Sequence, residues 1–190
     1  MMDSDWVNRG LSSASDTMAE AARHCAADIE AAASLVVECL EGGGKLLLCG
    51  NGGSAADAQH IAAEMSVKLK QVRAPMAAVA LTTNSSLLTA QANDLGFDTV
   101  FSRQVASLGR KGDVLVAIST SGNSPNILEA VEAARENGIR VIGLAGCGGG
   151  RLAPLCDTVV VVPSDEVPRI QEVHIAVGHL ICEYAEAALF

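Results

Sequence analysis

Gly50-Asn51-Gly52-Gly53-Ser54-Ala55-Ala56-Asp57 is the stretch that decides the fold of this 190-residue chain. Ahead of it runs Leu46-Leu47-Leu48-Cys49, a continuous apolar segment of the kind a parallel strand needs when both its faces are buried. Behind it, residues 55–69 are alanine-rich and favour helix. Strand, glycine turn and helix start together aim backbone N–H groups and the positive end of a helix dipole into the turn. Such a site suits an anion, phosphate above all. On the same helix His60 and Glu64 stand four residues apart, about 40° around the axis, so both project toward one place. A phosphate cradle followed within two turns by an imidazole and a carboxylate is the beginning of an active site.

Working outward, the spacing predicts a loose polar start over residues 1–12 and one long helix over 14–40. Ala22, Ala26, Ile29, Ala33, Val36 and Leu40 recur there every three or four positions. Glu41-Gly42-Gly43-Gly44 ends that helix. A second strand fits 77–81, followed by Thr82-Thr83-Asn84-Ser85-Ser86, a polar turn able to cap a helix over 87–91. Asn93-Asp94 and Gly96 separate that helix from another over 99–108, and the third strand is 114–118. At its end stands Ser119-Thr120-Ser121-Gly122-Asn123-Ser124-Pro125, with Pro125 in a helix's first turn and Ser124 as its cap. That helix runs to Asn137 and stops at Gly138. Strands over 141–144 and 158–162 and a last helix over 168–188 complete the chain. Strands alternating with helices at this spacing mean one α/β domain over 1–190, an open five-stranded parallel sheet with helices on both faces. Ligands in such sheets sit outside the carboxyl ends of the strands.

The 49% hydrophobic content is enough to build a sizeable core, and with only 3% aromatic residues that core must come from Ala, Val, Leu and Ile. A net charge of −9 argues against nucleic acid, whose phosphates are held by an excess of Lys and Arg. No apolar run approaches the roughly 18 residues that span a bilayer, and none follows a basic N-terminal region. The chain therefore reads as soluble and cytoplasmic, with no membrane partner. The six cysteines form no CxxC pair and read as small hydrophobes in a reducing compartment.

Gly50-x-Gly52-x-x-Ala55 satisfies the dinucleotide pattern, but the next strand ends Leu81-Thr82-Thr83-Asn84, without the acid that would hold a ribose. No glycine turn is followed by Lys-Ser or Lys-Thr, so a P-loop is excluded too, and no nucleotide cofactor is expected. The second loop points elsewhere. Ser119, Thr120, Ser121 and Ser124 put four hydroxyls around one strand-to-helix turn, more than one cap needs. Two polar loops after two parallel strands suit a sugar phosphate, one gripping phosphate and the other the hydroxyls.

In the last helix Gln171 and His179 are eight residues apart, about 80° around the axis and about 12 Å along it. Facing the helix of His60 and Glu64, they would complete a set of nitrogen and oxygen ligands for Zn²⁺ or a similar ion, Gln171 being the least usual member. His174 lies about 140° from His179 and faces elsewhere. His24, alone in the first helix, reads as a hydrogen-bonded core or interface histidine. Beside a sugar phosphate, Glu64 is suited to take a proton from carbon next to a carbonyl, and His179 to supply one to oxygen.

The blocks from Cys49 to His60 with Glu64, Asn93-Asp94, Phe101 to Val105, Ile118 to Ser124, and Arg169 to His174 with His179 resemble the sugar isomerase (SIS) domain. Within it they resemble the phosphoheptose isomerases. The resemblance implies a three-layer, Rossmann-like fold, with the helical segment 1–44 used in packing, and a homotetramer whose active sites lie between subunits. It implies conversion of sedoheptulose 7-phosphate to D-glycero-D-manno-heptose 7-phosphate for bacterial surface heptose. It also implies Glu64 as base, His179 as second acid/base, and one zinc per subunit on His60, Glu64, Gln171 and His179. Substrate would be held by Asn51, Gly52, Gly53, Ser54, Glu64, Asn93, Asp94, Ser119, Thr120, Ser121, Ser124 and Gln171. The rival is a non-catalytic SIS branch that binds a sugar phosphate or the bacterial replication initiator; it lacks the acid and histidine matching Glu64 and His179. Two places depart from the family's pattern. Residues 65–71 lack the usual Gly-Arg-Phe, and Asn84 stands where an Asp is common. Both bear on substrate affinity or length.

Overall fold

β1 (Leu46–Gly50) is the second strand of a five-stranded sheet, next to one edge, and is buried along its whole length. The computed structural model describes residues 4–190. The sheet continues with β2 (Ala78–Ala80), β3 (Val114–Ser119), β4 (Arg140–Ala145) and β5 (Thr158–Val161), in the order β2-β1-β3-β4-β5. Every pairing is parallel, with Leu48 opposite Ala80 on one side and Val116 on the other. The helices are α1 (Ser4–His24), α2 (Ala26–Glu41), α3 (Gly53–Ser66), α4 (Ser85–Leu95), α5 (Ser102–Leu108), α6 (Pro125–Glu136) and α7 (Val167–Leu189).

Alternation along the strands sorts the core into two layers. Leu46, Leu48, Val116 and Ile118 face α2, α3 and α7 through Val36, Ile61, Met65, Val173 and Val177. Leu47, Cys49, Leu115 and Ala117 face α5 and α6 through Val105, Ile127 and Val131. Helices cover both faces, which is why the strands read as unbroken apolar runs. Leu48 is fully buried between the two neighbouring strands. Leu48→Ala is therefore expected to cost about 2–5 kcal/mol in urea unfolding with an unchanged m value; a loss below about 1 kcal/mol would contradict this packing.

The N-terminal segment differs from the sequence expectation. Helix begins at Ser4, within the stretch expected to be a loose polar start, whose first three residues lie outside the described ones. The helix expected over 14–40 is two helices that break at Cys25 (φ −110°, ψ −1°). There the buried thiol donates to the Val161 carbonyl at 3.3 Å. Periodicity carries across the break because α2 continues the same apolar spacing, so no local signal marks it. α1 stands on tertiary support: the Arg169 guanidinium from α7 donates to the Gly10 carbonyl. It leaves Trp6, Val7, Leu11 and Met18 exposed, whereas α2 buries Ala32, Ala33, Val36 and Cys39. All six cysteines are free; Cys25, Cys39, Cys49 and Cys182 pack as small buried groups. Among the described residues no helix is long and apolar enough to cross a membrane.

In a sheet of this order the chain reverses its direction of winding between β1 and β3, and a crevice opens at their carboxyl ends. The two glycine- and serine-bearing turns of the sequence leave those two strands.

Candidate active site

The turn after β1 is tight. A Cβ on Gly50 would lie 2.5 Å from the Ser54 carbonyl oxygen, so only glycine lets the strand run straight into α3. Gly52 sits at φ +56°, a conformation side chains resist. A Cβ on Gly53 would meet the Gln171 amide, its nitrogen at 2.5 Å, so Gln171 reaches from α7 onto this turn. Ser54 is buried beneath it.

The turn after β3 carries the hydroxyls. Ser119 is buried and its Oγ lies 3.0 Å from the Ser124 Oγ. Ser124 occupies the N-cap position of α6, yet its side chain makes no capping bond, contrary to the cap expected from sequence. No side chain closes the first turn of α6; Pro125 has no N–H and the Ile127 and Leu128 N–H groups donate to the Ser124 carbonyl at 3.1 Å, so what this turn offers an anion is the positive end of the helix dipole. The Asn123 backbone N–H donates to Ser121 Oγ at 3.1 Å, and the Gly146 N–H to the Thr120 carbonyl at 3.0 Å. Asn51 and Asn126 join the two turns through paired side-chain amides.

His60 and Glu64 project from α3 as their spacing requires, and α7 brings His179 to them. The helices approach closely because residue 178 is glycine: a Cβ there would stand 2.6 Å from Ile61 Cδ1. His60 Nε2 lies 2.9 Å from His179 Nε2 and 3.3 Å from Glu64 Oε1. The ligand atoms of all three residues fall within 4.8 Å of one another. Two imidazole nitrogens and a carboxylate oxygen converging in this way match the three protein ligands of open catalytic zinc sites, and a divalent ion fits this donor set. One turn before His60, Asp57 has its Oδ2 buried with no partner. Burial raises its carboxyl above the usual range, while His60 pulls it the other way.

The stretch over 65–71 is strapped to α7. Glu186 accepts from the backbone N–H groups of Leu69, Lys70 and Gln71 at 3.2, 3.3 and 2.6 Å. The nearly buried Arg73 guanidinium donates to the carbonyls of Glu64 at 2.9 Å and Met65 at 2.8 Å. Asn93 and Asp94 stand exposed on the last turn of α4 and bond each other at 2.7 Å; among the described residues no hydrogen bond ties them to either turn. Asn84 caps α4, its side chain accepting from the Leu87 N–H at 3.0 Å. His24 lies on the exposed side of α1, its Nε2 3.1 Å from Glu20 Oε2, rather than in the core. Sequence reasoning passed over Asp57, and also Arg73, Asn126 and Glu186, whose partners include residues far along the chain.

His174 faces away from the cluster, as its angle on the helix demands. It is fully buried, with Nε2 3.1 Å from the Ala145 carbonyl oxygen. Burial lowers its pKa to about 4, against the opposing hydrogen bond to Ala145. Between about 6.5 and 4 the unfolded chain binds a proton that the folded chain refuses. Stability is thus expected to fall as pH drops through that window, by on the order of 3 kcal/mol. Urea unfolding at stepped pH should show that loss in the parent and lack it in His174→Leu; an equal loss in both would assign it to other groups.

Residues 11–146 match the SIS domain family. The phosphoheptose isomerase of Rhodospirillum rubrum is 59% identical over 165 residues, 87% of this chain and 88% of that protein. Among solved structures, a phosphoheptose isomerase from Neisseria gonorrhoeae superposes with a TM-score of 0.92 at 47% identity, over 97% of this chain and 98% of that one. One from Francisella tularensis gives 0.95 at 39% identity, over 98% and 100%. A match of this depth over nearly the whole chain means that the chain belongs to the SIS-domain family, among its phosphoheptose isomerases.

Proposed function

We propose that this chain interconverts sedoheptulose 7-phosphate and D-glycero-D-manno-heptose 7-phosphate, in the supply of heptose for bacterial lipopolysaccharide or capsule. The observation that carries this reading is the convergence of Glu64 and His179, from two helices, beside two turns built for a sugar phosphate. The names of its relatives point the same way.

The substrate phosphate sits in the turn from Ser119 to Ser124, held by Ser119, Thr120, Ser121 and Ser124 and favoured by the positive end of the α6 dipole. No lysine is needed there, which suits a chain of net charge −9. Asn51, Gly52, Gly53, Ser54, Asn93, Asp94 and Gln171 receive the sugar's hydroxyls. Glu64 takes a proton from C1 of the open-chain ketose, giving an enediol, and returns it at C2. His179 moves the proton between the oxygens on C1 and C2 so that the carbonyl changes place. The Arg73 guanidinium on its carbonyl and the strap to α7 keep Glu64 at the end of α3. His60, Glu64, Gln171 and His179 would hold one zinc ion per subunit, which when bound supplies Lewis-acid stabilisation of negative charge on the sugar oxygens. The protein works as a soluble homotetramer, in which the exposed apolar residues of α1 pack against neighbouring subunits.

Incubation of the purified chain with sedoheptulose 7-phosphate, followed by NMR, tests this. An aldoheptose 7-phosphate signal growing with enzyme concentration is expected. Saturable binding without conversion, with and without added zinc, would overturn the enzyme reading and favour a sensing or protein-binding module.

A further inference from the structure

The turns after β1 and β3 are joined by one side-chain pair. Asn51 Nδ2 donates to Asn126 Oδ1 at 2.9 Å, and Asn126 Nδ2 donates back to Asn51 Oδ1 at 2.8 Å. Asn126, the second residue of α6, is 2% exposed, while Asn51 is half-buried in its turn. An amide offers two N–H donors and an oxygen with two lone pairs. The reciprocal pair uses one donor and one lone pair of each residue, and leaves Asn51 one of each for a ligand. Turning either amide alone would set donor against donor and acceptor against acceptor, so neither turns without the other.

The two partners are not equally anchored. Asn126 is fixed by the helix backbone around it. Asn51 lies between Gly50 and Gly52-Gly53, in a stretch with little side-chain packing of its own. The ordering therefore runs from Asn126 to Asn51. Asn126 also stands directly behind the phosphate turn, two residues after Ser124.

We infer that Asn126 is a positioning residue that locks the Asn51 amide in the orientation in which the β1 turn receives a sugar hydroxyl, and so ties that turn to the phosphate turn ahead of α6. This inference rests on reading the two turns as one sugar-phosphate site. Loss of Asn126 then leaves Asn51 free to rotate, and the sugar loses an aligned hydrogen bond. Proton transfer, which belongs to α3 and α7, is little changed.

The expected result for Asn126→Ala is a KM for sedoheptulose 7-phosphate raised about five- to tenfold with kcat within about twofold. Inorganic phosphate, which engages only the serine turn, should bind as in the parent. A double-mutant cycle separates positioning from general support of the fold. Sugar-phosphate affinity is measured by calorimetry on the full chain for Asn51→Ala, Asn126→Ala and both, in a Glu64→Gln background that prevents turnover. Asn126→Ala should cost about five- to tenfold with Asn51 present and under about twofold without it. Equal losses in both backgrounds, or no loss in the first, would overturn the inference. Asn126→Leu, similar in shape but without polar atoms, takes the place of the alanine variant if that fails to fold.

A second readout does not depend on the substrate. The Asn51 side-chain amide protons, assigned by their disappearance in Asn51→Ala, should be resolved and slow to exchange in the parent and averaged in Asn126→Leu. If the parent binds no sedoheptulose 7-phosphate, the substrate reading falls and these signals decide alone. Unchanged Asn51 signals in the Asn126 variant would then refute the positioning role.

Discussion

Glu64→Gln is expected to lower turnover of sedoheptulose 7-phosphate by about a thousandfold, within the range that a positioned general base contributes, while the fold survives. The amide keeps the volume of the carboxylate and its capacity to accept a hydrogen bond, but it cannot take the C1 proton. Its surroundings tolerate the change: the side chain is 22% exposed and no buried ion pair depends on it. What holds Glu64 in place is its backbone carbonyl, bonded by Arg73, and that bond is untouched. Turnover followed by NMR, with thermal melts of parent and variant side by side, provides the measurement. Activity within about tenfold of the parent would remove Glu64 from the role of base. Glu64 is also a candidate metal ligand, so the loss needs a partner experiment. His60→Ala removes a ligand from the same cluster but leaves the carboxylate. It should retain clearly more activity than Glu64→Gln; equal losses would assign the effect to the ion site rather than to proton transfer.

Gly122→Ala should cost about 3–5 kcal/mol and abolish the grip on phosphate. Two penalties add at this residue. Gly122 has φ +64°, where a Cβ is strained whatever the space around it. A Cβ there would also stand 2.1 Å from the Gly149 carbonyl oxygen and 2.6 Å from its carbon. These are backbone atoms of the loop after β4 and cannot swing away, so the two loops must part. The Leu152 N–H bond to the Gly122 carbonyl at 2.9 Å would go with them. Because Ser119 and Ser124 bracket this residue, the hydroxyls would lose their common focus. Gly148→Ala is the control: its φ is +71° but nothing lies within 4 Å, so it should cost only about 1 kcal/mol. Urea unfolding and phosphate titration of both variants test the argument. A Gly122→Ala protein as stable as Gly148→Ala would show that the loops yield more easily than their contact implies.

Local chemistry made much of this molecule legible in advance. The apolar runs of β1, β3 and β4 have no other reading, since helices on both faces leave no polar side to a strand. The polar turn over 82–86 caps a helix as expected, through Asn84, although α4 starts at Ser85 and runs on through Asn93-Asp94 to Leu95; Gly138, at φ +68°, follows α6 where a stop was expected. The angle between His174 and His179 separated the buried histidine from the clustered one. Other features had no local signal. The break at Cys25 interrupts a pattern that stays in phase across it, and α1 extends to Ser4 through Ser- and Gly-containing sequence because α7 supports it. Ser124 looks like a cap and is not one, because its hydroxyl turns to Ser119. Glu186 carries no local mark of its role, because the three N–H groups it meets belong to the strap at Leu69, Lys70 and Gln71, far back along the chain.

The alternation of strands and helices, the two glycine- and serine-bearing turns, and the pairing of His60 with Glu64 were all readable from local chain chemistry. Each of these depends only on the period of an element or on the conformations that its residues allow. The meeting of His60 with His179, 119 residues later, was decided only in the tertiary structure, as was the pairing of Asn51 with Asn126 across 75. The first depends on how closely α3 and α7 pack at Gly178, and the second on β1 and β3 lying side by side in the sheet. Such distances are set by the packing of the whole core, to which no single stretch of chain holds the answer.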